Sequence, residues 1–563
     1  MQTTSQTHIA HLVDLCAQAG ITQVVLSPGS RNAPLIIAFD EHHSIKTYII
    51  HDERVAAFFA LGLAESSKNP VAICCTSGSA PLNYAPAISE AYYRSIPLLI
   101  LTADRPISLV DQGEGQTIRQ KNVFHNYIKA EFELPDFSDS TDLAQSNQIV
   151  NSALVSLISS PKGPVHINIP LSEPLYQISD VQLPSQSFTS VTDEKKLTES
   201  ELTTIKNHWK EAEKKLILIG QLNYDQRLLQ LIEIIAGDPS VAILVENISN
   251  VQKFDKIVHC LDRTLALIHE NEVENFKPDL LVSLGGAVVS KKIKAFFREN
   301  KPKVNWRVGI FHFEEDTYQS LTQSFDCAPI QFLEVLQEIE YVPQSNFGSN
   351  WKQKDFLAAD KHQEFLNQTE FSDLKVTDWI LDTLPEGANL HMGNSSVVRY
   401  CQLFNPIKSV RYFSNRGVSG IDGSTSTAAG IANFEFSKLN VLISGDTSFL
   451  YDSNALWNNY LSPNFRIIVI NNGGGGIFQI LEGANSVKQA PLFFAPHQAN
   501  ISAICKAFNI NYYQAESIVD LDNLVEKFYS IHENNRPTLL EVKTFSVDNA
   551  SILKAYFEFL RAL

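Results

Sequence analysis

Short apolar runs that end in glycine, serine, aspartate or arginine recur along the whole chain. Between them lie longer stretches such as residues 54–67, whose alanine, phenylalanine and leucine content is typical of a buried helix. We predict strands at residues 22–27, 47–50, 71–75, 98–101, 164–170, 216–220, 242–245, 280–285, 308–313, 441–444 and 467–470. Because these strands alternate with helices, the pattern predicts an α/β fold with parallel sheets.

Two polar stretches interrupt the alternation. Residues 183–196 are polar and contain proline and serine, and residues 342–349 contain proline, serine, asparagine and glycine. Both compositions are typical of linkers. They predict three parallel-sheet α/β domains, at residues 1–182, 198–342 and 355–563. A length of 563 residues suits three or four domains of ordinary size.

Composition excludes several classes of function. The net charge of −17 disfavours nucleic acid and anionic membrane surfaces as partners. The N-terminus lacks the basic and apolar regions of a signal peptide, and we expect no membrane insertion because no apolar run is long enough to span a bilayer. The seven cysteines are scattered without a CxxC pair, so we expect buried free thiols in a cytoplasmic protein.

The stretch of residues 445–478 contains two predicted strand ends whose Asp, Asn and Gly residues indicate a ligand site. One apolar run ends at Gly445 and Asp446, and the next ends at Asn471, Asn472 and four glycines. Ligands bind at such strand ends in parallel sheets, and Asp and Asn oxygens suit Mg²⁺ beside a phosphate. The spacing resembles the thiamine diphosphate (ThDP) signature of GDG followed by NN, although Thr447 replaces its third glycine.

Glu53 follows another predicted strand and opens the helix at residues 54–67. An acid in the first turn of a helix is often there because it stabilises the helix dipole. Beside a ThDP signature it has a second interpretation. A partly desolvated carboxyl group hydrogen-bonded to the aminopyrimidine ring would promote removal of the thiazolium C2 proton.

Cationic and polar side chains are frequent near the other predicted strand ends. They are Ser30, Arg31, Arg105, Gln116, Arg119, Gln120, Lys291, Lys292, Ser395, Arg399 and Arg416. Each alone is better explained as an ordinary surface or salt-bridge residue. Together in an acidic protein they favour substrates with more than one carboxylate, because arginine binds carboxylates with two hydrogen bonds. Ile421 and the apolar residues after the glycines, Ile477 and Phe478, would support a bent cofactor.

The motifs together resemble one enzyme family. They are SPGSR at 27–31, HDER at 51–54, TSGSA at 76–80, TADRP at 102–106, SKK at 290–292, GNSSVVR at 393–399, SNRGVSGIDG at 414–423, GDTSFLYDSNAL from 445 and NNGGGGIF from 471. This set is similar to that of the 2-succinyl-5-enolpyruvyl-6-hydroxy-3-cyclohexene-1-carboxylate synthases, ThDP enzymes of menaquinone and phylloquinone biosynthesis. The resemblance covers about residues 10–545.

The resemblance implies a ThDP-dependent decarboxylase-like fold, with a pyrimidine-binding first domain, a Rossmann-like central domain and a diphosphate- and metal-binding third domain. It implies decarboxylation of 2-oxoglutarate and 1,4-addition to isochorismate. The implied metal is Mg²⁺, with Mn²⁺ as a substitute. The implied metal ligands are Asp446, Asn472 and the Gly474 carbonyl, which leaves Asn471 to hold the turn.

The resemblance also assigns the remaining site residues. The cofactor-binding residues are Glu53, Ser395, Ser419, Ile421, Gly445, Asp446, Thr447, Ser448, Asn472, Gly474, Gly475, Ile477 and Phe478. The catalytic residues are Ser30, Arg31, Glu53, Gln116, Ser395, Arg399 and Arg416, and the substrate-binding residues are Ser30, Arg31, Arg105, Gln116, Lys291, Lys292, Arg399 and Arg416. A homodimer or homotetramer with active sites between subunits is implied as well.

Thr447 agrees with this family, which does not keep the third glycine. Three positions depart from it. Gly473 replaces an Asn or Asp, Lys292 stands where an Arg occurs, and Gly115 replaces a polar residue beside Gln116.

Three alternatives stay open at this stage. Another ThDP enzyme, of the acetolactate synthase or 2-oxoacid decarboxylase kind, would explain Glu53 and the metal motif but not the many cations. A nucleotide-binding dehydrogenase would need a GxGxxG motif directly after a strand, which the chain lacks. A binding protein without activity would retain the fold alone.

Overall fold

The computed structural model describes residues 2–136, 140–183, 188, 195–251, 256–310, 314–340, 343–480, 483–531, 535–544 and 547–562. Most of the predicted linker at 183–196, the predicted domain end at 342 and residues 311–313 therefore lie outside the described residues. The chain forms two compact units. The first contains Met1–Glu194, Gly417–Ser437 and Tyr451–Phe465, and the second contains Lys195–Arg416, Lys438–Leu450 and Arg466–Leu563.

The first unit is built on a parallel sheet. Its elements are β1 (Gln2–Thr4), α1 (Thr7–Gln18), β2 (Gln23–Leu26), α2 (Ala33–Glu41), β3 (Lys46–Ile49), α3 (Glu53–Ser67), β4 (Val71–Cys75), α4 (Ala80–Tyr93), β5 (Leu98–Asp104), β6 (Ala130–Glu133), α5 (Ser140–Ile158), β7 (Val165–Pro170) and β8 (Ile178–Asp180). The strand order is β3-β2-β4-β5-β7-β6, with parallel pairs throughout, and β1 pairs with β8 in the antiparallel sense. The apolar faces of β2, β4, β5 and β7 pack against α1, α2 and α5 to form the core.

The second unit begins with the central domain. Its elements are α6 (Glu199–Glu211), β9 (Lys215–Ile219), α7 (Gln226–Ile235), β10 (Val241–Val245), α8 (Leu261–Leu265), α9 (Val273–Phe276), β11 (Leu280–Leu284), α10 (Lys291–Glu299), β12 (Val304–Val308), β13 (Gln323–Phe325), α11 (Pro329–Gln337) and α12 (Phe347–Gln368). The parallel strand order is β10-β9-β11-β12-β13. Apolar clusters cover both faces of this sheet, as expected for parallel strands.

The last part of the chain forms a third sheet. Its elements are α13 (Asp373–Thr383), β14 (Asn389–Met392), α14 (Ser396–Cys401), β15 (Arg411–Phe413), α15 (Ser424–Phe434), β16 (Asn440–Gly445), α16 (Asp446–Tyr451), β17 (Phe465–Asn471), α17 (Ile477–Ile480), α18 (Ala490–Phe494), α19 (Ile501–Ala507), β18 (Asn511–Ala515), α20 (Ile518–Tyr529), β19 (Thr538–Lys543) and α21 (Asn549–Arg561). Short 3₁₀ turns lie at Ile107–Leu109, His125–Tyr127, Asn247–Ser249, Glu270–Glu272, Ser453–Leu456 and Ala484–Ser486.

The first and third sheets share one topology. The third has the order β15-β14-β16-β17-β19-β18, which repeats the order of the first strand for strand. In both sheets the direction of winding reverses beside the first strand of the α/β repeat, between β2 and β4 and between β14 and β16. Ligands bind at such switch points. Glycine- and serine-rich turns follow β2, β4 and β14, whereas β16 ends at Gly445 and α16 begins directly after it.

Two glycines bring α3 and α15 into close contact within the first unit. A Cβ on Gly62 would lie 2.2 Å from the Thr427 carbonyl oxygen, and one on Gly430 would lie 2.2 Å from that of Phe59. The two helix backbones therefore approach more closely than any larger residue permits. This packing holds α15 against the helix that starts with Glu53.

The predicted fold class of parallel-sheet α/β domains is confirmed for the described part of the chain. The strand lies at Val304–Val308, where buried Asn305 and Arg307 interrupt the apolar run. The prediction of a strand at 308–313 is therefore wrong at residues 309–310, and residues 311–313 lie outside the described part of the chain. The prediction of a second linker at residues 342–349 is also wrong at its C-terminal end. Helix α12 begins at Phe347, whose buried ring packs in the central core with Trp351. This helix crosses residue 355, and the domain limits themselves stay predictions.

All seven cysteines are buried free thiols, as expected. Within the described ranges, no helix combines the length and apolar character that crossing a bilayer requires.

Candidate active site

Asp446 connects two strand ends of the third sheet. It begins α16 directly after β16, and its Oδ2 accepts hydrogen bonds from the N–H groups of Gly473 (2.8 Å) and Gly474 (2.9 Å), which follow β17. Its Oδ1 accepts from the Thr447 N–H at 2.6 Å. Burial raises the pKa of Asp446, while the Thr447 hydrogen bond and the neighbouring His497 act in the opposite direction. A cation at this carboxylate would offset the burial.

Asn472 has an oxygen available for a ligand. Its Nδ2 donates to Asp373 Oδ2 at 3.0 Å, whereas its Oδ1 is buried without a hydrogen-bond partner among the described residues. A buried amide oxygen left unpaired is costly, and a hard cation would satisfy it. The Gly474 carbonyl accepts from the Gly476 N–H at 2.9 Å and has a second lone pair. These oxygen donors fit a Mg²⁺ ion.

The other asparagine, Asn471, faces away from this group. Its Nδ2 donates to Glu541 at 2.6 Å, and its Oδ1 accepts from the Gly473 N–H at 3.1 Å. Both contacts stabilise the glycine turn.

The segment after the glycines folds back on the turn. Gly475 donates its N–H to the Phe494 carbonyl at 2.6 Å, and the Phe478 ring lies 6.0 Å from that of Phe493. Ile477 is half-buried and Phe478 is exposed. His497 Nε2 lies 3.2 Å from Asp446 Oδ2. Sequence reasoning missed both His497 and Asp373, because neither belongs to a motif and each reaches the site only through the fold.

Gly445, Thr447 and Ser448 surround Asp446. A Cβ on Gly445 would meet no atom within 4 Å, so the space beside the strand end is open. The Thr447 side chain is exposed, and Ser448 is buried in the first turn of α16.

A cluster of predicted substrate-binding residues lies at the β14 switch point and the adjacent end of β11. Arg416 Nη1 donates to Asn394 Oδ1 at 2.7 Å, and Arg399 Nη1 donates to the Ser395 carbonyl at 2.6 Å. Burial lowers the pKa of Arg399, and Asp262 opposes this effect. Because Asp262 accepts a hydrogen bond from Ser290, which precedes Lys291, the structure brings the lysine turn and the arginines together.

Glu246 holds the backbone that precedes Lys291. Its two carboxylate oxygens accept from the N–H groups of Val289 (2.6 Å) and Ser290 (2.7 Å). Burial raises the pKa of Glu246 to about 7, although both hydrogen bonds and Arg416 favour the charged form. Lys291 is exposed at the start of α10, whereas the Lys292 ammonium lies 3.1 Å from the centroid of the Phe557 ring. A substrate contact of Lys292 would compete with this cation–π contact.

Ser395 adopts an unusual backbone conformation, with φ of 72° and ψ of −124°. Non-glycine residues rarely occupy this region, and the strain costs about 1–3 kcal/mol. Such strain occurs where a site demands a particular backbone position, which agrees with the predicted role of Ser395.

In the first unit, Glu53 is the first residue of α3 and is half-buried. Burial raises the pKa of the Glu53 carboxyl group, and the neighbouring Asp52 adds to the increase. A carboxyl group with this tendency suits proton transfer near neutral pH.

The residues on both sides of Glu53 are held by the segment Tyr451–Trp457. Arg54 Nη1 donates to buried Asp452 at 3.0 Å, and Asn454 donates to Asp52 at 2.8 Å. The rings of His51 and Trp457 stack with centroids 5.3 Å apart. Arg54 also donates to the Asp422 carbonyl, next to Ile421. The residues that flank Glu53 are thus fixed by contacts on both sides.

The other predicted residues of this unit lie at the ends of β2, β5 and the loop after β5. Arg31 is buried, and its Nη1 donates to the Leu171 carbonyl at 2.7 Å. Arg105 Nη2 donates to the Gly115 carbonyl at 3.2 Å. Ser30 and Gln116 are exposed, and Gln116 has a φ of 55°. Arg119 pairs with Asp111 in solvent, which favours the surface ion-pair interpretation.

The loop Gly417–Gly423 carries Ser419 and Ile421. Ser419 has a φ of 62°, and Ile421 is half-buried. The N–H groups of Gly417 and Val418 donate to buried Glu90. The motif thus gains support from α4, which nothing in the sequence indicated.

A surface cavity of about 480 Å³ is lined by Asn122, Val123, Phe124, His125, Asn126 and Tyr127. It includes none of the predicted site residues.

Comparison with known proteins places these features in a family. Two family models match, described as thiamine pyrophosphate enzyme, N-terminal TPP binding domain, over residues 7–126, and thiamine pyrophosphate enzyme, C-terminal TPP binding domain, over residues 392–542. A 2-succinyl-5-enolpyruvyl-6-hydroxy-3-cyclohexene-1-carboxylate synthase of Flavobacterium johnsoniae is 40% identical, covering 97% of this chain and 98% of that protein. Those of Christiangramia forsetii and Porphyromonas gingivalis are 42% and 36% identical over similar shares, 98% and 98% of this chain and 98% and 97% of the relatives.

The chain belongs to the 2-succinyl-5-enolpyruvyl-6-hydroxy-3-cyclohexene-1-carboxylate synthase family. The predicted family and the predicted ThDP cofactor are thereby confirmed, and the acetolactate synthase-like alternative is not supported. Benzoylformate decarboxylase from Polynucleobacter necessarius superposes with a TM-score of 0.71 at 15% identity, covering 97% of this chain and 99% of that structure. This likeness confirms the decarboxylase-like fold alone. The roles of individual site residues stay predictions.

Proposed function

We propose that this chain decarboxylates 2-oxoglutarate and adds the resulting succinyl carbanion equivalent in a 1,4 sense to isochorismate. The product is 2-succinyl-5-enolpyruvyl-6-hydroxy-3-cyclohexene-1-carboxylate, an intermediate of menaquinone biosynthesis. The observation that carries the proposal is near-full-length identity of 40% to a synthase of that name. The reaction breaks the C1–C2 bond of 2-oxoglutarate, releases CO₂ and forms one new C–C bond.

ThDP, when bound, supplies an electron sink for the pair left behind by CO₂. In the proposed site, Asp446, Asn472 and the Gly474 carbonyl would hold Mg²⁺ or Mn²⁺. The orphaned Asn472 oxygen supports this set. The other residues that would bind the cofactor are Ser419, Ile421, Gly445, Thr447, Ser448, Gly475, Ile477 and Phe478.

Glu53 acts on the cofactor ring as a hydrogen-bonding carboxyl group. Burial raises the pKa of Glu53 and so favours the protonated form of its carboxyl group. Arg54 and Asp52 hold the helix start that carries it. General acid–base groups of this kind contribute about 10²- to 10⁴-fold in rate.

The arginines bind the substrate carboxylates. Each substrate carries two carboxylates, which matches a set of four arginines, Arg31, Arg105, Arg399 and Arg416. Lys291 and Lys292 add positive charge, and Ser30, Gln116 and Ser395 provide hydrogen bonds that orient the acceptor. The contact between Arg399 and the strained Ser395 backbone supports a shared role for these two residues.

The proposed assembly is a homodimer or homotetramer in the cytoplasm, with active sites between subunits. The domain roles follow the family. Residues 1–182 bind the pyrimidine ring, residues 198–342 form a Rossmann-like domain, and residues 355–563 bind the diphosphate and metal. Size-exclusion chromatography with light scattering tests the assembly, and a monomeric active enzyme would contradict it.

The function is tested by measuring CO₂ release and product formation from 2-oxoglutarate plus isochorismate with ThDP and Mg²⁺. We expect activity with this pair and none with pyruvate alone. Glu53→Gln should lower kcat about 10²-fold or more, because the amide cannot exchange the proton. Dependence on pyruvate alone, or full activity of Glu53→Gln, would overturn the proposal.

A further inference from the structure

The fold places a buried carboxylate directly behind the predicted metal ligand Asn472. Asp373, the first residue of α13, is 3% exposed and lies 99 residues earlier in the chain. Its Oδ2 accepts the hydrogen bond from Asn472 Nδ2 at 3.0 Å. Asp373 is absent from every motif and has no other function in the site described above.

Asp373 is itself fixed in position. Its Oδ1 accepts from the Thr544 hydroxyl at 2.6 Å, and its N–H donates to Asn549 Oδ1 at 2.7 Å. Thr544 is fully buried and follows β19, and its N–H donates to the Asn471 carbonyl at 2.8 Å. The Asp373 carboxylate therefore connects Asn472, after β17, with Thr544, after β19, and these two hydrogen bonds prevent it from rotating freely.

A carboxylate only accepts hydrogen bonds, which determines how the Asn472 amide is oriented. The amide has two orientations related by a flip, and only one directs its N–H₂ group to Asp373. In that orientation Oδ1 points to the opposite side, where it is buried and has no partner among the described residues. The flipped orientation would place two oxygens together and remove the oxygen from the ligand side.

The glycine turn leaves little room for Asn472 to adjust. A Cβ on Gly476 would lie 2.6 Å from Asn472 Nδ2, so the turn packs directly against the amide. The neighbouring Gly473 and Gly474 N–H groups bind Asp446. The Asp446 carboxylate and the Asn472 amide are thus held by one turn, and their relative orientation depends on Asp373.

We propose that Asp373 is a positioning residue that orients the Asn472 amide oxygen and thereby sets the affinity of the site for its divalent cation. This inference rests on the proposed function, since the cation is the one that holds the cofactor diphosphate. Partners behind a metal ligand typically change metal affinity by about 10- to 100-fold when they are removed.

The chain offers a matched control on the adjacent residue. Glu541 is 3% exposed and accepts from Asn471 Nδ2 at 2.6 Å, so it supports the neighbouring asparagine as Asp373 supports Asn472. Glu541→Gln removes a buried carboxylate at the same turn without touching the proposed metal ligand. Any general effect of disturbing the turn will appear equally in both variants.

The experiment measures Mn²⁺ binding to the full-length protein, stripped of metal, at saturating ThDP. Free Mn²⁺ is followed by its electron paramagnetic resonance signal. We expect Asp373→Asn to raise the Mn²⁺ Kd about 10- to 100-fold, and Glu541→Gln to stay within about twofold of the unaltered protein. At saturating Mg²⁺, Asp373→Asn should recover most of its kcat, because the chemistry does not depend on this residue once the metal is bound.

Thr544→Val provides a second variant should Asp373→Asn fail to fold. It retains the carboxylate and removes one of its anchors, so we expect a smaller increase in the Mn²⁺ Kd. Unchanged Mn²⁺ affinity in Asp373→Asn, or an equal loss in Glu541→Gln, would overturn this inference alone. Absence of ThDP-dependent Mn²⁺ binding by the unaltered protein would overturn the proposed function and this inference with it.

Discussion

The carboxylate of Glu90 accepts two hydrogen bonds from the backbone of a loop that lies 327 residues later in the chain, from Gly417 at 2.8 Å and from Val418 at 2.7 Å. Glu90 is 1% exposed and belongs to α4. Arg94 pairs with it from the next turn of that helix and also pairs with Glu65. A buried charge cluster therefore supports the loop that carries Ser419 and Ile421.

Replacing Glu90 with Gln should weaken this loop. The amide of Gln accepts one of the two backbone hydrogen bonds and presents an N–H₂ group to the other. The loss of a hydrogen bond to a charged group costs about 1.5–3 kcal/mol, and we expect kcat/KM to fall about tenfold or more. The control is Glu131→Gln, which affects a carboxylate bound to His166 and Asn122 and leaves the loop untouched. Steady-state kinetics of Glu90→Gln equal to those of the unaltered protein would contradict this role.

We expect Arg54 to affect catalysis indirectly, because it lies next to the proposed catalytic residue Glu53 in α3. Its guanidinium donates to Asp452 at 3.0 Å and to the Tyr451 carbonyl at 3.2 Å, and also to the Asp422 carbonyl. Arg54→Lys retains the charge but cannot make these forked contacts. We expect kcat to fall about tenfold, because a small displacement of a catalytic group is costly. Arg119→Lys, at an exposed ion pair, should leave kcat unchanged. A similar loss in both variants would contradict a specific role for the forked contacts of Arg54.

The close approach of α3 and α15 predicts intolerance of side chains at Gly62 and Gly430. A Cβ at either position would lie 2.2 Å from a backbone oxygen, which cannot move without shifting a helix. We expect Gly62→Ala and Gly430→Ala each to lower the free energy of unfolding by about 1–3 kcal/mol, measured by urea denaturation. Gly115→Ala, where a Cβ meets no atom within 4 Å, serves as the control and should be nearly neutral. Wild-type stability of Gly430→Ala would show that the helices separate at little cost.

Glu246 predicts a pH dependence of stability. Its pKa is raised in the folded protein to about 7 from the ordinary glutamate value of 4.5, chiefly by burial, so the folded state retains a proton that the unfolded chain has lost. The stabilisation is therefore fully present below pH 4.5 and is lost as pH rises through 7. Glu246→Gln should reduce the fall in Tm between those pH values. A pH profile of Tm identical to that of the unaltered protein would contradict the shifted pKa.

The chemistry of the strand ends was visible in the sequence. β16 ends at Gly445 and Asp446 comes directly after it, while β17 ends at Asn471 and is followed by Asn472 and the glycines, close to where the apolar runs indicated. Glu53 begins α3, one residue before the predicted start. These features depend on short stretches of chain, where side-chain size and backbone freedom determine whether a strand continues or ends. The sequence did not predict most of the strand Val304–Val308, because the buried polar residues Asn305 and Arg307 interrupt the apolar pattern on which the prediction relied.

The supports behind the site were decided by tertiary structure alone. Asp373 meets Asn472 across 99 residues, and Glu90 meets Gly417 across 327. Local pattern cannot indicate such pairs, because an isolated buried carboxylate in a sequence does not specify its partner; the partner is fixed by which strand ends and helices the fold brings together. The sequence by itself determined which residues can bind a metal, a diphosphate and carboxylates. Only the folded chain decided that the amide oxygen of Asn472 is left for a ligand, since burial excludes the water that would otherwise satisfy it.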